Sequence, residues 1–352
     1  MIMDVDLDGL FAHNTTYDYE DYEYKEDFES KGSIAVLIPV LYSAELVIGL
    51  LGNGLLLAIL VQKRRSWSAS DTVILYLSVA DVLLLLTLPL WAAQAAQSCG
   101  WCFGVILCKI SRAVFNLNYY CGILLLICIS LDHYQSITHA TQQYAQKTPR
   151  LAHIKCLLVW LTSLLLVIPD FIFMVVVKDP AQEKALLCFD SFSLVGRLLH
   201  HTLGFLLPTA ALIICCSRIL LRSKGLQKER STIFILLLVV VFFLCWTPYN
   251  ITLIVDTLRN RSQELGDPLK TPLMVTSALG CFHACLRPLL YVGLCGNFRK
   301  HTLAMLRCAT VESESSLWEL GVANEAPPDQ SHEREELKQM TSVDHQVQST
   351  QC

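Results

Sequence analysis

The sequence is short of charge. Only 16% of its 352 residues are charged while 53% are hydrophobic, and a soluble chain of this size would need more polar surface to stay in water. Patterns for catalysis and metal binding are lacking as well. No nucleophile stands at the spacing of a base, and neither His200 with His201 nor His332 near Glu335 has the partner spacing of a zinc site. These histidines read as ordinary polar positions, and neither an enzyme nor a metal or cofactor site is expected. A transporter would show inverted repeats and several membrane-buried charges along a path; neither is visible. Residues 1–33 lack the apolar core of a cleavable signal peptide, so the first helix is expected to act as its own insertion signal.

What the chain has instead is apolar blocks of more than twenty residues, about the length at which a helix crosses a hydrocarbon layer of roughly 30 Å. Seven fit: Ile34–Val61, Thr72–Ala96, Cys108–Tyr134, Leu151–Val177, Arg197–Leu221, Ser231–Leu258 and Thr271–Leu294. The fold expected is an all-α membrane protein, a seven-transmembrane helix bundle with a short amphipathic helix after it. Its segments are an acidic, tyrosine-rich tail (1–33), the bundle (34–294), the amphipathic helix (295–308) and a polar, acidic tail (309–352). Lys63, Arg64 and Arg65 follow the first block, and Arg222, Lys224, Lys228 and Arg230 lie between the fifth and sixth. These basic loops belong inside the cell, which puts the N-terminus outside and the C-terminal tail inside.

The third block organises the rest, opening with Cys108 on the outer side and closing with Asp132, His133 and Tyr134 on the inner side. Asp81 lies deep in the second block, and an intramembrane carboxylate is functional unless shown otherwise. Pro89, Pro208 and Pro248 each remove a backbone hydrogen bond and bend their helices, with Trp246 two residues before the last. Glu45 is unusual at its depth and has no evident partner. Val175, Val176 and Val177 favour a small hairpin before Cys188. Cys99, Cys102, Cys108 and Cys188 face the oxidising side, where four cysteines leave three connectivities open. Asn14 opens a glycosylation sequon, followed by an alternation of acids with Tyr17, Tyr19, Tyr22 and Tyr24. Such an arm is disordered by composition and suits capture of a basic protein by electrostatic steering. Cys308 is a palmitoylation candidate, and Ser313, Ser315 and Ser316 are phosphorylation candidates among acids.

Gly52 with Asn53, Asp81, Cys108 with Cys188, Asp132 and Tyr134 about His133, Trp160, Pro208, Cys245–Tyr249, and Pro288 with Tyr291 together resemble the class A G-protein-coupled receptors. Thr87, Leu88 and Pro89, with the tyrosine-acid tail, are similar to the chemokine receptors. Leu88–Trp91, Phe115–Asn118, His139–Thr141, Pro169–Phe173 and Trp246–Tyr249 resemble their CXC branch. The resemblance implies a Cys108–Cys188 disulfide, leaving Cys99 and Cys102 to close on each other or stay free. It implies CXC chemokines as ligands, sulfation of Tyr17, Tyr19, Tyr22 and Tyr24, and a pocket near Tyr42, Trp91, Phe115, Asp170, Asp256 and Ser277. It also implies a plasma-membrane location with endosomal cycling, and arrestin and receptor kinases as partners of the C-terminal tail.

The departures converge on the inner switch. Signalling members of the family carry an arginine where this chain has His133, a tyrosine where it has Cys216 and an asparagine where it has Arg287. Histidine is shorter than arginine and lacks its permanent charge and five donors, so coupling to a heterotrimeric G protein is expected to be weak or absent. By the same resemblance Asp81 and Asn118 would cradle a sodium ion, and Arg287 is expected to reach Asp81 as a tethered cation, or else to turn toward the inner vestibule. Neither the N-terminal tail nor the third outer loop, Arg259–Lys270, has the cysteine that often joins these two segments in the family. Two readings follow. One is a receptor that binds and internalises chemokine with little G-protein signalling; the alternative is a conventional signalling receptor mediating leukocyte chemotaxis.

Overall fold

A computed structural model describes residues 20–63, 67–97, 101–138, 149–178, 186–190, 194–222, 229–259 and 270–306. Asn14, Tyr17, Tyr19, Cys99, Cys308 and the phosphorylation candidates of the C-terminal tail lie outside these residues. Seven helices are long and apolar enough to cross a membrane, and we number them as spans one to seven: Val36–Gln62, Ala69–Ala96, Gly104–Thr138, Arg150–Phe173, Leu194–Arg222, Thr232–Arg259 and Thr271–Leu294. An eleven-residue helix, Gly296–Leu306, follows. Large apolar side chains such as Leu51, Ile106, Leu165 and Leu221 stand on the outside of the bundle, where only lipid can cover them. Span three is the most enclosed, 72% buried against 28% for spans four and five. The bundle is therefore built around it.

Proline shapes three spans as expected and by local means. Span two breaks between Leu85 and Leu88, where Thr87 turns its hydroxyl back to donate to Leu84 O at 2.7 Å. Span five widens to a π-helix over His200–Leu206, just before Pro208, so that the Leu207 N–H reaches Thr202 O. In span six the Asn250 amide donates to Trp246 O at 2.9 Å around Pro248.

Most span ends lie within about four residues of the expected blocks, and the first and fourth helices differ in kind. The first helix begins at Glu20, so Tyr22 and Tyr24 fall on a helical extension. No Gly or Pro interrupts residues 20–31, and Glu20, Asp21 and Glu23 suit a helix N-terminus. The fourth helix stops at Phe173 and Met174–Lys178 leaves it as a strand, β1. It pairs antiparallel with β2, Leu186–Asp190, with Val176 opposite Cys188. The three valines thus go to the hairpin, as β-branched residues favour.

Span ends on the side of the basic loops are called inner and the opposite ends outer; the inner ends are fastened by polar groups as well. Lys63 Nζ lies 3.0 Å from Asp71 Oδ2 with both side chains buried, while Asp71 and Ser68 close a capping box at the start of span two. Trp67 Nε1 donates to Leu60 O at 2.8 Å. Lys63, which as a sequence feature marks an inner loop, is therefore also a structural cation. Burial, and secondly the ammonium of Lys63, hold the imidazole of His301 on the last helix below its ordinary range.

Spans one and seven meet at Gly52. A Cβ there would come 2.7 Å from Pro288 Cγ and 2.9 Å from its Cβ, whereas a Cβ at Gly54 would meet nothing within 4 Å. Gly52→Val should therefore wedge these spans apart at a cost of about 1–3 kcal/mol, while Gly54→Ala should be neutral or slightly stabilising. Thermal unfolding of the purified variants in detergent checks the contrast; equal melting temperatures would remove the argument.

Candidate functional site

The outer end of span three carries the disulfide that the resemblance implies, Cys108 with Cys188, at a Cα separation of 5.9 Å. Below it Trp101, Cys108 and Met174 form a small buried core with Leu90 and Phe103 at its edge, and Trp101 Nε1 donates to Gly104 O at 2.8 Å. The hairpin is thereby fixed over the bundle mouth. Cys102 is also disulfide-bonded, so it does not stay free.

About two turns further in, Phe115 is buried among aromatic rings. Its centroid is 6.1 Å from Trp91, 5.2 Å from Trp246 and 5.1 Å from Tyr249. Arg112, three residues earlier on the same helix face, lies over both Trp91 and Phe115 at 5.5 and 5.8 Å and donates to the Tyr249 hydroxyl at 3.2 Å. Asp170 is buried and accepts from Asn116 Nδ2 at 2.9 Å, with His200 Nδ1 at 3.8 Å. Asp256 accepts from Arg197 Nη1 at 3.0 Å. A cavity of about 30 Å³ opens among Arg112, Asp170, Arg197, His200 and Tyr249, room for little more than a water.

Of the residues named from the sequence only Asp170 lines this cavity; Trp91 and Phe115 meet beside it under Arg112, and Asp256 joins through Arg197. Tyr42 is buried, and Ser277 turns its hydroxyl to Leu273 O at 2.6 Å; neither lines the cavity. His200 and His201 are not the ordinary polar positions they seem. His200 lies 3.2 Å from the Tyr120 hydroxyl, and His201 Nε2 is 2.9 Å from Thr257 Oγ1. Their place three and four residues after Arg197 puts them on its helix face. Arg112 was legible by the same spacing from Phe115.

Mid-membrane, Asp81 Oδ1 accepts from Asn118 Nδ2 at 2.8 Å and Oδ2 lies 3.0 Å from Arg287 Nη1. The latter contact is one of charge, because the two atoms are not aligned as a hydrogen bond. Arg287 Nη2 meets His283 Nδ1 at 3.1 Å. All four side chains are buried. Arg287 thus turns to the carboxylate and not to the inner vestibule. Among the described residues Glu45 Oε2 has no hydrogen-bond partner.

At the inner end Asp132 does not hold the imidazole beside it. Its Oδ1 takes Lys155 Nζ of span four at 2.7 Å, with both side chains about one-third exposed. His133 Nε2 lies 2.9 Å from Thr232 Oγ1 of span six. Tyr134 is partly buried beside them, Cys216 is buried in span five, and Tyr291 packs between Phe234 and Phe298 at 5.6 and 6.4 Å.

The sequence pattern of the 7 transmembrane receptor (rhodopsin family) matches residues 52–291. The chain is 40% identical to C-X-C chemokine receptor type 3 of Bos taurus over 321 residues, covering 85% of this chain and 86% of that protein. It is likewise 40% identical to C-X-C chemokine receptor type 3 of Homo sapiens over 330 residues, with 87% and 88% covered. With C-X-C chemokine receptor type 1 of Oryctolagus cuniculus it shares 35% over 297 residues, covering 80% and 82%.

The Asp81–Arg287 pair makes a measurable expectation. Arg287→Met strands the buried carboxylate and should lower stability by about 3–5 kcal/mol. Arg287→Asn opens room for a soluble cation, so sodium chloride should raise its melting temperature above that in choline chloride. The native chain should show no such difference, and a sodium effect in both proteins, or in neither, would overturn the tethered-cation role.

Proposed function

We infer that this chain, which belongs to the rhodopsin family of 7 transmembrane receptors and within it to the CXC chemokine receptors, captures and internalises CXC chemokines with weak or no G-protein activation. The acidic, tyrosine-rich tail makes the first grip on a basic ligand body, strengthened by sulfation of Tyr17, Tyr19, Tyr22 and Tyr24. The ligand's N-terminal end then reaches the outer site at Trp91, Phe115, Asp170 and Asp256. The N-terminus with its Asn14 sequon faces outward at the plasma membrane, and the C-terminal tail, phosphorylated by receptor kinases, recruits arrestin for endosomal cycling.

The observation that carries the signalling half of this reading is the His133–Thr232 contact of 2.9 Å across spans three and six. Activation in this family requires span six to swing outward and the residue at position 133 to reach toward the G protein. A histidine spans less distance than arginine and offers at most two donors where arginine offers five. Its braces are altered too, since Cys216 replaces a phenol that could have met it and Arg287 is committed to Asp81. Each change alone is tolerable; all three remove the interactions that hold the open form.

Cells expressing the chain and given a labelled CXC chemokine that binds the type 3 receptor should take it up without activating G protein. The triple variant His133→Arg, Cys216→Tyr, Arg287→Asn should gain G-protein activation several-fold while uptake persists. Robust activation by the native chain would instead establish the conventional signalling receptor, in which the span-three histidine suffices.

A further inference from the structure

Between the inner ends of spans two, three and four lies a cavity of about 200 Å³, separate from the outer site. Val73, Leu125, Ile129 and Ala152 form its apolar wall, and Lys155 and His133 stand at its mouth beside Asp132. We propose that this cavity binds a small carboxylic acid with an apolar tail of about six to eight carbons. The size follows from packing: an apolar cavity of about 150 Å³ accepts benzene, so this one holds a somewhat larger body.

The head group follows from the charges. Lys155 carries three donors and gives one to Asp132 at 2.7 Å, so a ligand carboxylate can share the same ammonium. His133 adds a second nitrogen-bearing side chain at the mouth. An ammonium ligand would meet Lys155 with like charge. A purely apolar ligand would cover the Lys155–Asp132 pair, whose side chains are 35% and 34% exposed, and strip its water without replacing it. An acid meets Asp132 with like charge in turn, but Asp132 Oδ1 is already held by Lys155. The ammonium's two further donors can take a head kept at the wet inner surface with its tail against the wall. The site does not depend on chemokine capture, because none of its wall residues touches the outer site.

The test uses the full chain in nanodiscs of phosphatidylcholine alone, which carry no anionic lipid, with octanoate followed by saturation-transfer NMR and empty nanodiscs as the blank. Saturable binding is expected, with octanol at least about tenfold weaker, as loss of a charge-assisted hydrogen bond implies. Lys155→Gln should weaken octanoate by about the same factor, and Ala152→Phe, or Val73→Phe where the first lowers the melting temperature, should abolish it. Displacement of octanoate by added phosphatidylserine would assign the natural carboxylate to a lipid headgroup, and its retention to a free acid. No saturable binding, equal binding of octanol, or binding unchanged in Lys155→Gln and the filled variants would each overturn the proposal.

Discussion

Asp81 and Arg287 lie 3.0 Å apart in the middle of the bundle, where no solvent screens either charge. Alone, each would be driven out of the hydrocarbon or be forced to give up its charge. Together they form a neutral unit to which Asn118 and His283 add hydrogen-bonding partners. The unit joins spans two, three and seven. At Gly122 beside the unit a Cβ would lie 3.1 Å from the Phe242 ring but in ordinary contact, 3.8 Å, with Arg287 Nη2. The missing side chain thus admits the Phe242 ring close against span three.

An aromatic layer links the outer site to the pair. Phe115 meets Trp246 at 5.2 Å, Trp246 meets Phe242 at 6.3 Å, and Phe242 meets His283 edge-on at 5.3 Å. His283 in turn holds Arg287. Displacement of Phe115 or Trp246 therefore presses on rings that end against a charge pair. Moving that pair means separating opposite charges in a medium of low dielectric, where their attraction is at its strongest. The outer site is thus joined to the central pair by a continuous path of packed rings.

Much of this was legible because lipid imposes simple rules. The seven spans were readable as apolar runs, and the prolines marked where they bend, although the π-helix before Pro208 is a backbone remedy that composition does not encode. The family resemblance left Arg287 either Asp81 or the inner vestibule, and the structure gives it to Asp81. The inner end was harder. Asp132 and His133 are adjacent in sequence, but adjacent helical residues point about 100° apart, and the structure gives Asp132 to Lys155 and His133 to Thr232. The polar rim of the outer site was missed for a related reason: Arg197 with Asp256, and Asn116 with Asp170, join helices far apart in the chain.

The division of labour at the inner end has a mechanical consequence. Asp132 binds a span-four lysine and so ties span three to a neighbour on the side away from span six. His133 ties it to span six itself, through a neutral hydroxyl. A hydrogen bond of this kind contributes only about 1 kcal/mol, too little to lock the bundle by itself. Closure at the inner face therefore does not come chiefly from a strong lock there. The stronger tie is the central pair of opposite charges, which joins spans two and seven where no solvent screens it.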